Sequence, residues 1–217
     1  MRIKAVIWDL DGTLLDTLDD LTASTNAALA QNGLPVRTRE EVRRFVGNGI
    51  RRLIGLAVPQ GEENPAFQAV YDAFVAHYGA HSSDHTRPYD GIIGVLDALQ
   101  REGVRQAIVS NKIDFAVKAL SRAYFGDRMQ AAVGDDPSRR RKPAPDSVLA
   151  AMDQLGVTRE ETVYVGDSEV DVATARSAGI ALAAVSWGFR SEACLREAGA
   201  QRIAATPEAL LEMIRAL

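Results

Sequence analysis

Asp9 and Asp11 stand one residue apart at the end of an apolar run, in the stretch IKAVIWDLDGTLLDT (residues 3–17). Asp11-Gly12 reads as a turn that stops a strand. Asp9 does not fit that reading, because a carboxylate where an apolar strand meets the surface needs solvent, a hydrogen-bonding partner or a cation. Further polar groups follow apolar runs downstream: Ser110 and Asn111 after QAIV, Lys142 in RRRKPAPD, and Asp167, Ser168 and Asp171 after TVYVG. Brought together, these groups suit phosphoryl transfer. Carboxylate oxygens of Asp9 and Asp167, with water and a backbone carbonyl, make a hard octahedral site for Mg²⁺. Ser110, Asn111, Lys142 and main-chain N–H groups after Asp11 can hold phosphate oxygens, and Thr13 in the same loop is counted with them. A carboxylate close to a cation and a phosphorus centre can act as nucleophile, which makes Asp9 the candidate for an aspartyl-phosphate. Asp11 is then placed to protonate the leaving alkoxide and later to take a proton from water.

Each residue alone has a plainer explanation. Ser110-Asn111 can cap a following helix, and Asp167 and Asp171 can favour the positive end of a helix dipole. What argues for a joint role is the pattern of elements. From Gly91 onward, strand-like and helix-like segments alternate, which points to a doubly wound parallel sheet, Rossmann-like, covered on both faces. Ligands bind outside the carboxyl ends of the strands in such sheets, and the polar groups fall at those ends. Between the first strand and that alternation, the chain reads as helices only: TLDDLTASTNAALAQNG, TREEVRRFVGNG with Thr38 and Glu41 in capping-box spacing, IRRLIGLAV and NPAFQAVYDAFVAHYG. That insertion is too long for an ordinary strand-to-helix connection. Residues 1–15 and 88–217 are therefore expected to form the α/β core, and residues 16–87 a small all-helical domain.

With 25 Lys plus Arg against 29 Asp plus Glu, the chain has no basic footprint for nucleic acid or an anionic membrane, and a small soluble ligand is the expected partner. A single cysteine, Cys194, excludes an internal disulfide and suits a reducing cytoplasm. No run approaches a membrane span. His77, His81 and His85 recur every fourth residue, but Gly79, Ser82 and Ser83 argue against one continuous helix that would stack them as metal ligands.

The stretches DLDGTLLDT, VSN, KPAPD and VGDSEVD resemble, in order, the four motifs of the haloacid dehalogenase superfamily of phosphohydrolases. The resemblance implies Asp9 as nucleophile and metal ligand, and Asp11 as acid–base group with its carbonyl on Mg²⁺. It also implies Ser110 and Lys142 as phosphate binders, Asp167 as metal ligand and Asp171 as a supporting group. The helical insertion resembles the cap such enzymes close over a small phosphorylated metabolite. Softer similarities, in FVGNGIRRLI, RPYDGIIGVLDAL and the C-terminal AVSWGFRSEACLREAGAQRIAATPEAL, point within the superfamily to phosphoglycolate phosphatases. On that likeness Asn48 and Arg51 are the expected substrate contacts in the cap, since an arginine fork can hold a small carboxylate. A sugar-phosphate mutase or another small-molecule phosphatase or pyrophosphatase on the same scaffold is the alternative. A phosphoacceptor signalling domain is a more distant one, with no use for a lid.

Overall fold

The computed structural model describes residues 3–217. The chain divides into two compact units, one formed by Asp16–Arg87 and the other by the segments before and after it. In the larger unit, β1 (Ala5–Trp8) is buried along its whole length. The chain then passes through two very short strands, β2 (Leu15–Asp16) and β3 (Arg87–Pro88), which pair with each other where it leaves and rejoins this unit. Strands β4 (Arg105–Ile113), β5 (Ala131–Asp135), β6 (Thr162–Gly166), β7 (Ala181–Val185) and β8 (Ile203–Ala204) complete a six-stranded sheet in the order β5-β4-β1-β6-β7-β8. All its ladders are parallel, so all its carboxyl ends lie on one rim.

The period of two along a strand explains why β1 is apolar throughout rather than alternating. Val6 and Trp8 face one core with Ile92, Leu96, Leu120, Leu210 and Ile214. Ala5 and Ile7 face the other, with Val148, Met152, Ala175 and Ala178. The helices behind those residues are α5 (Ile92–Arg101), α6 (Asp114–Tyr124) and α10 (Pro207–Arg215) on the first face, and α7 (Asp146–Leu155) and α8 (Glu169–Ala178) on the second. Each fully buried Ile, Val or Trp contributes about 1.5–3 kcal/mol over the exposed state, so β1 is held firmly from both sides. Trp8 donates its indole N–H to Gln106, whose amide in turn donates to the Leu96 carbonyl, so the polar edge of this core is satisfied. The doubly wound parallel sheet expected from the sequence is what the chain forms. Its last part, α9 (Glu192–Glu197), β8 and α10, extends the sheet by one edge strand whose two residues are too few to give a periodic signal.

One boundary differs. The sequence places the end of the second core strand at Ser110-Asn111, whereas β4 continues to Ile113, with a register irregularity against β5 between Val109 and Ile113. A polar run can remain extended here because its side chains have partners, as described below.

The smaller unit holds α1 (Leu18–Gln31), α2 (Arg39–Phe45), α3 (Gly49–Ala57) and α4 (Phe67–His81). Thr38 and Glu41 form the reciprocal capping box at the start of α2. Helix α4 runs through Gly79 to His81, further than the glycine suggests. Its buried face of Phe67, Val70, Phe74 and Tyr78 outweighs the roughly 1 kcal/mol that a helical glycine costs. His77 and His81 therefore do share a helix, with ring centroids 4.4 Å apart. The three histidines turn to separate partners: His77 to Ser24, His81 to Asp84 and His85 to Asp20.

Asp20 is the electrostatic anchor of this unit. Only 1% exposed, it accepts from the main-chain N–H groups of His85 and Thr86, from the Thr86 hydroxyl and from the His85 ring. Burial works against its charge, but the Thr86 hydroxyl and the His85 and Thr86 N–H groups outweigh it and hold the carboxyl below its usual range. Asp20→Ala strands the buried Thr86 donors and releases those of His85, and an expected loss of about 3 kcal/mol should appear in denaturant unfolding. Because the folded-state value is depressed, this contribution is complete above the unfolded-state value. It disappears as the pH falls through the lower folded-state value, and the variant should lack that part of the wild-type acid sensitivity.

Candidate active site

Register alone brings the first and fourth polar groups together. Trp8 is level with Val165 across the ladder, and the Asp9 N–H donates to the Val165 carbonyl at 2.8 Å, so Asp9 emerges beside Gly166 and Asp167. After Asp9 the chain turns tightly, with Gly12 N–H donating to the Leu15 carbonyl and Leu15 N–H to the Leu10 carbonyl. On the other side, Trp8 is level with Ile108, which sets Ser110 on the same rim. Lys142 reaches this rim from the loop between β5 and α7. That loop is largely exposed, with Arg141 paired to Asp135 and Arg140 to Asp146 at its two ends, but Lys142 itself is buried.

Asp9, Asp167 and Asp171 are all buried, and one oxygen of each lies within 4.8 Å of the others. Lys142 Nζ sits among them, 2.7 Å from Asp9 Oδ1, 2.8 Å from Asp171 Oδ1 and 2.9 Å from the Tyr164 hydroxyl oxygen. Burial alone would lower the lysine, but Asp171 and Asp9 outweigh it and raise it well above its ordinary value. The carboxylates fare differently. Burial, with Asp171 and Asp167 nearby, pushes Asp9 well above the usual range against the pull of Lys142. Burial and Asp171 push Asp167 up to about 7, although the Phe189 N–H and the Thr13 hydroxyl donate to it. Three buried carboxylates thus face one ammonium, a deficit of two positive charges in a site built of hard oxygen donors. A divalent oxygen-loving cation fits that donor set and that deficit.

Buried carboxylates and a lysine on the carboxyl rim of a parallel sheet suit phosphoryl transfer, and similarity to known proteins places the lineage. The family model for haloacid dehalogenase-like hydrolases matches residues 6–185. The chain belongs to that family. It is 36% identical over 190 residues to an N-acetylmuramic acid 6-phosphate phosphatase of Pseudomonas aeruginosa, covering 87% of this chain and 84% of that one. It is 35% identical over 194 residues to a phosphoglycolate phosphatase of Thiobacillus denitrificans, covering 87% and 86%. A crystal structure from Lactobacillus delbrueckii subsp. bulgaricus, provisionally described as a phosphoglycolate phosphatase, superposes with a TM-score of 0.95 at 35% identity over 100% of both chains. This haloacid dehalogenase-like hydrolase is a phosphomonoester hydrolase.

Not every polar residue of the hydrolase's motifs opens onto the site in the same way. The Thr13 hydroxyl is fully buried and donates to Asp167 Oδ1 at 3.0 Å, so it fixes a carboxylate instead of presenting itself to phosphate. Asn111 exchanges two hydrogen bonds with the main chain of Lys142, its Nδ2 donating to the Lys142 carbonyl and its Oδ1 accepting the Lys142 N–H. Its observed work is to place the lysine. Asp171 is held through Oδ2 by the N–H and hydroxyl of Ser168, in the capping box that opens α8, and through Oδ1 by Lys142. Ser110 Oγ accepts the Lys112 N–H at 3.2 Å. In the helical unit, Asn48 stands at the N-cap of α3 without capping it through its side chain. Arg51 is paired with Glu62, and its guanidinium lies 4.9 Å from the centroid of Phe67.

Three contributors have no counterpart in the motif reading. Lys112 Nζ contacts both oxygens of Asp11, at 2.7 and 3.0 Å. Tyr164 lies within a strand, and a buried tyrosine in need of a hydroxyl partner was its one available signal. The Phe189 N–H, a main-chain group, belongs to the loop after β7, where Trp187 also donates its indole N–H to the Thr13 carbonyl at 3.1 Å. Trp187 is thereby a tie between that loop and the first motif. Gly12 completes the packing around Asp167. Its φ is +91°, and a Cβ there would stand 2.5 Å from Asp167 Oδ2. Gly12→Ala must displace the carboxylate or the loop, and is expected to cut kcat/KM by about 10²-fold or more while far-UV circular dichroism stays unchanged.

Proposed function

We propose that this hydrolase is a Mg²⁺-dependent phosphatase of small phosphomonoesters that works through an aspartyl-phosphate on Asp9, with 2-phosphoglycolate as its substrate. The observation that carries the mechanism is the buried Asp9–Asp167–Asp171 cluster crossed by Lys142. Asp9 and Asp167, with the Asp11 carbonyl, would hold Mg²⁺. Bound there, the ion would offset charge on the phosphoryl oxygens and on the carboxylates around it.

The protein's own groups carry the steps. A carboxylate oxygen of Asp9 forms a bond to phosphorus while the bond to the ester oxygen breaks. The electron pair leaves with that oxygen, and Asp11 supplies the proton that makes it an alcohol. Water then attacks the phosphorus, Asp11 takes back a proton, and phosphate departs with Asp9 restored. Lys142 and Ser110 hold the phosphoryl group, and Asp171 holds Lys142. The helical unit acts as the cap that chooses among esters, with Asn48 and Arg51 as its candidate contacts. Arg51 would meet a substrate carboxylate with guanidinium N–H groups other than those of Nη2, which pairs with Glu62.

Support for 2-phosphoglycolate comes from the 35% identical Thiobacillus denitrificans relative. The 36% identical Pseudomonas aeruginosa relative favours a second reading, N-acetylmuramic acid 6-phosphate. Release of inorganic phosphate from these two esters and a panel of sugar phosphates, with Mg²⁺ and with EDTA, tests both. Metal-dependent turnover concentrated on 2-phosphoglycolate supports the proposal. Concentration on the amino-sugar ester installs the second reading, and turnover indifferent to EDTA removes the metal.

A further inference from the structure

Asp11 differs from the other three site carboxylates in how it is held. Asp9, Asp167 and Asp171 lie inside the cluster, and the last two are fixed by main-chain N–H groups and hydroxyls from several elements. Among the described residues, Lys112 is the one side chain hydrogen-bonded to the Asp11 carboxylate. The lysine is itself set in place, since it lies in β4 with its N–H on Ser110 Oγ and its side chain only 4% exposed. Burying an ammonium costs several kcal/mol, and a buried ion pair seldom recovers that as stability. Contact with both oxygens does, however, fix the plane and reach of a carboxylate as a single contact would not.

We propose that Lys112 is a positioning residue for proton transfer: it aims the Asp11 carboxylate at the ester oxygen. The proposal rests on the acid–base reading of Asp11 given above. It separates Lys112 from Lys142, whose partners are Asp9, Asp171 and Tyr164, so that the two buried lysines of the site serve different bonds of the reaction.

Leaving-group dependence tests it. An alkyl ester needs a proton delivered to its departing oxygen, whereas p-nitrophenyl phosphate releases a stable phenolate without one. The measurement is kcat/KM, which reports formation of the phosphoenzyme, on the best alkyl phosphate of the panel and on p-nitrophenyl phosphate. Asp11→Asn, Lys112→Met and Lys112→Arg are compared with wild type, each checked by circular dichroism. Lys112→Met should lose about 10²-fold or more on the alkyl ester and less than about tenfold on the aryl ester, tracking Asp11→Asn. Lys112→Arg, which can still span both oxygens, should recover most of the alkyl activity. If Asp11→Asn discriminates between the esters and Lys112→Met loses equally on both, or on neither, the proposal falls alone. If Asp11→Asn itself fails to discriminate, the acid–base reading of Asp11 falls and takes the proposal with it. Should Lys112→Met not fold, the arginine variant decides: a loss on the alkyl ester as large as that of Asp11→Asn overturns the positioning role.

Discussion

Asp9→Asn is expected to abolish turnover, a loss of about 10⁴-fold or more in kcat, and to leave the fold as stable as before or more so. The amide has the shape of the carboxylate but cannot form the bond to phosphorus, so the covalent route closes. Stability moves the other way because of where the charge sits. Burial and the neighbouring Asp171 and Asp167 raise Asp9 well above the usual carboxylate range, which means that the ionised form is penalised in the folded state. A neutral side chain removes that penalty and keeps a hydrogen-bond acceptor for Lys142. Phosphate release and thermal unfolding without divalent ions, measured on the same preparation, check both halves. Residual turnover within tenfold of wild type would show that another group attacks phosphorus.

Lys142→Met should damage both properties at once. It removes the single ammonium among three buried carboxylates, and breaking a buried pair by deleting one partner costs about 3–5 kcal/mol. On the proposed role of Lys142 in holding phosphate, kcat should also fall by about 10²–10³-fold. The stability loss has a definite pH signature. Asp167 is raised to about 7 in the folded protein. A raised value contributes stability at pH below the unfolded-state value, and that contribution is lost as the pH climbs through about 7. The metal-free enzyme should therefore be relieved of this penalty on mild acidification, and Lys142→Met should be relieved by more. Added Mg²⁺ should raise the unfolding temperature of wild type further at about pH 8 than at about pH 5, because at the lower pH protons occupy the carboxylates. An unfolding temperature for Lys142→Met equal to wild type at both pH values would contradict this account.

The parallel sheet was legible because alternating strands and helices have two different periods, and the ends of the strands carry their polar residues in plain letters. The helices of residues 16–87 were legible for the same reason, down to the Thr38–Glu41 capping box. What escaped follows from what a linear string does not encode. The Phe189 N–H is a main-chain donor that any non-proline residue would supply, so no letter marks it. Lys112 pairs with a residue 101 positions away, in a stretch where three polar residues in succession read as the end of a strand. Thr13 and Asn111 were read from the string as rim residues, and only coordinates could tell that their side chains turn to Asp167 and to the Lys142 main chain. Gly79 was weighed by its local propensity, and the packing of Phe74 and Tyr78, which precede it in α4, decided the outcome.

The strand that leads into Asp9 is synthesised before its neighbours and sits in the middle of the sheet, with β4 on one edge and β6 on the other. Its neighbours are made long afterwards: Ala5 pairs with Arg105 and with Thr162. During synthesis the helical unit, compact within residues 16–87, can fold while the four apolar residues of β1 still have no ladder to join. A nascent chain is thus obliged to carry an unpaired, aggregation-prone segment until β4 and β6 have emerged. The acidic cluster cannot assemble early either, because the carboxylate at the tip of that segment acquires Lys142, Asp167 and Asp171 only from segments translated after β5.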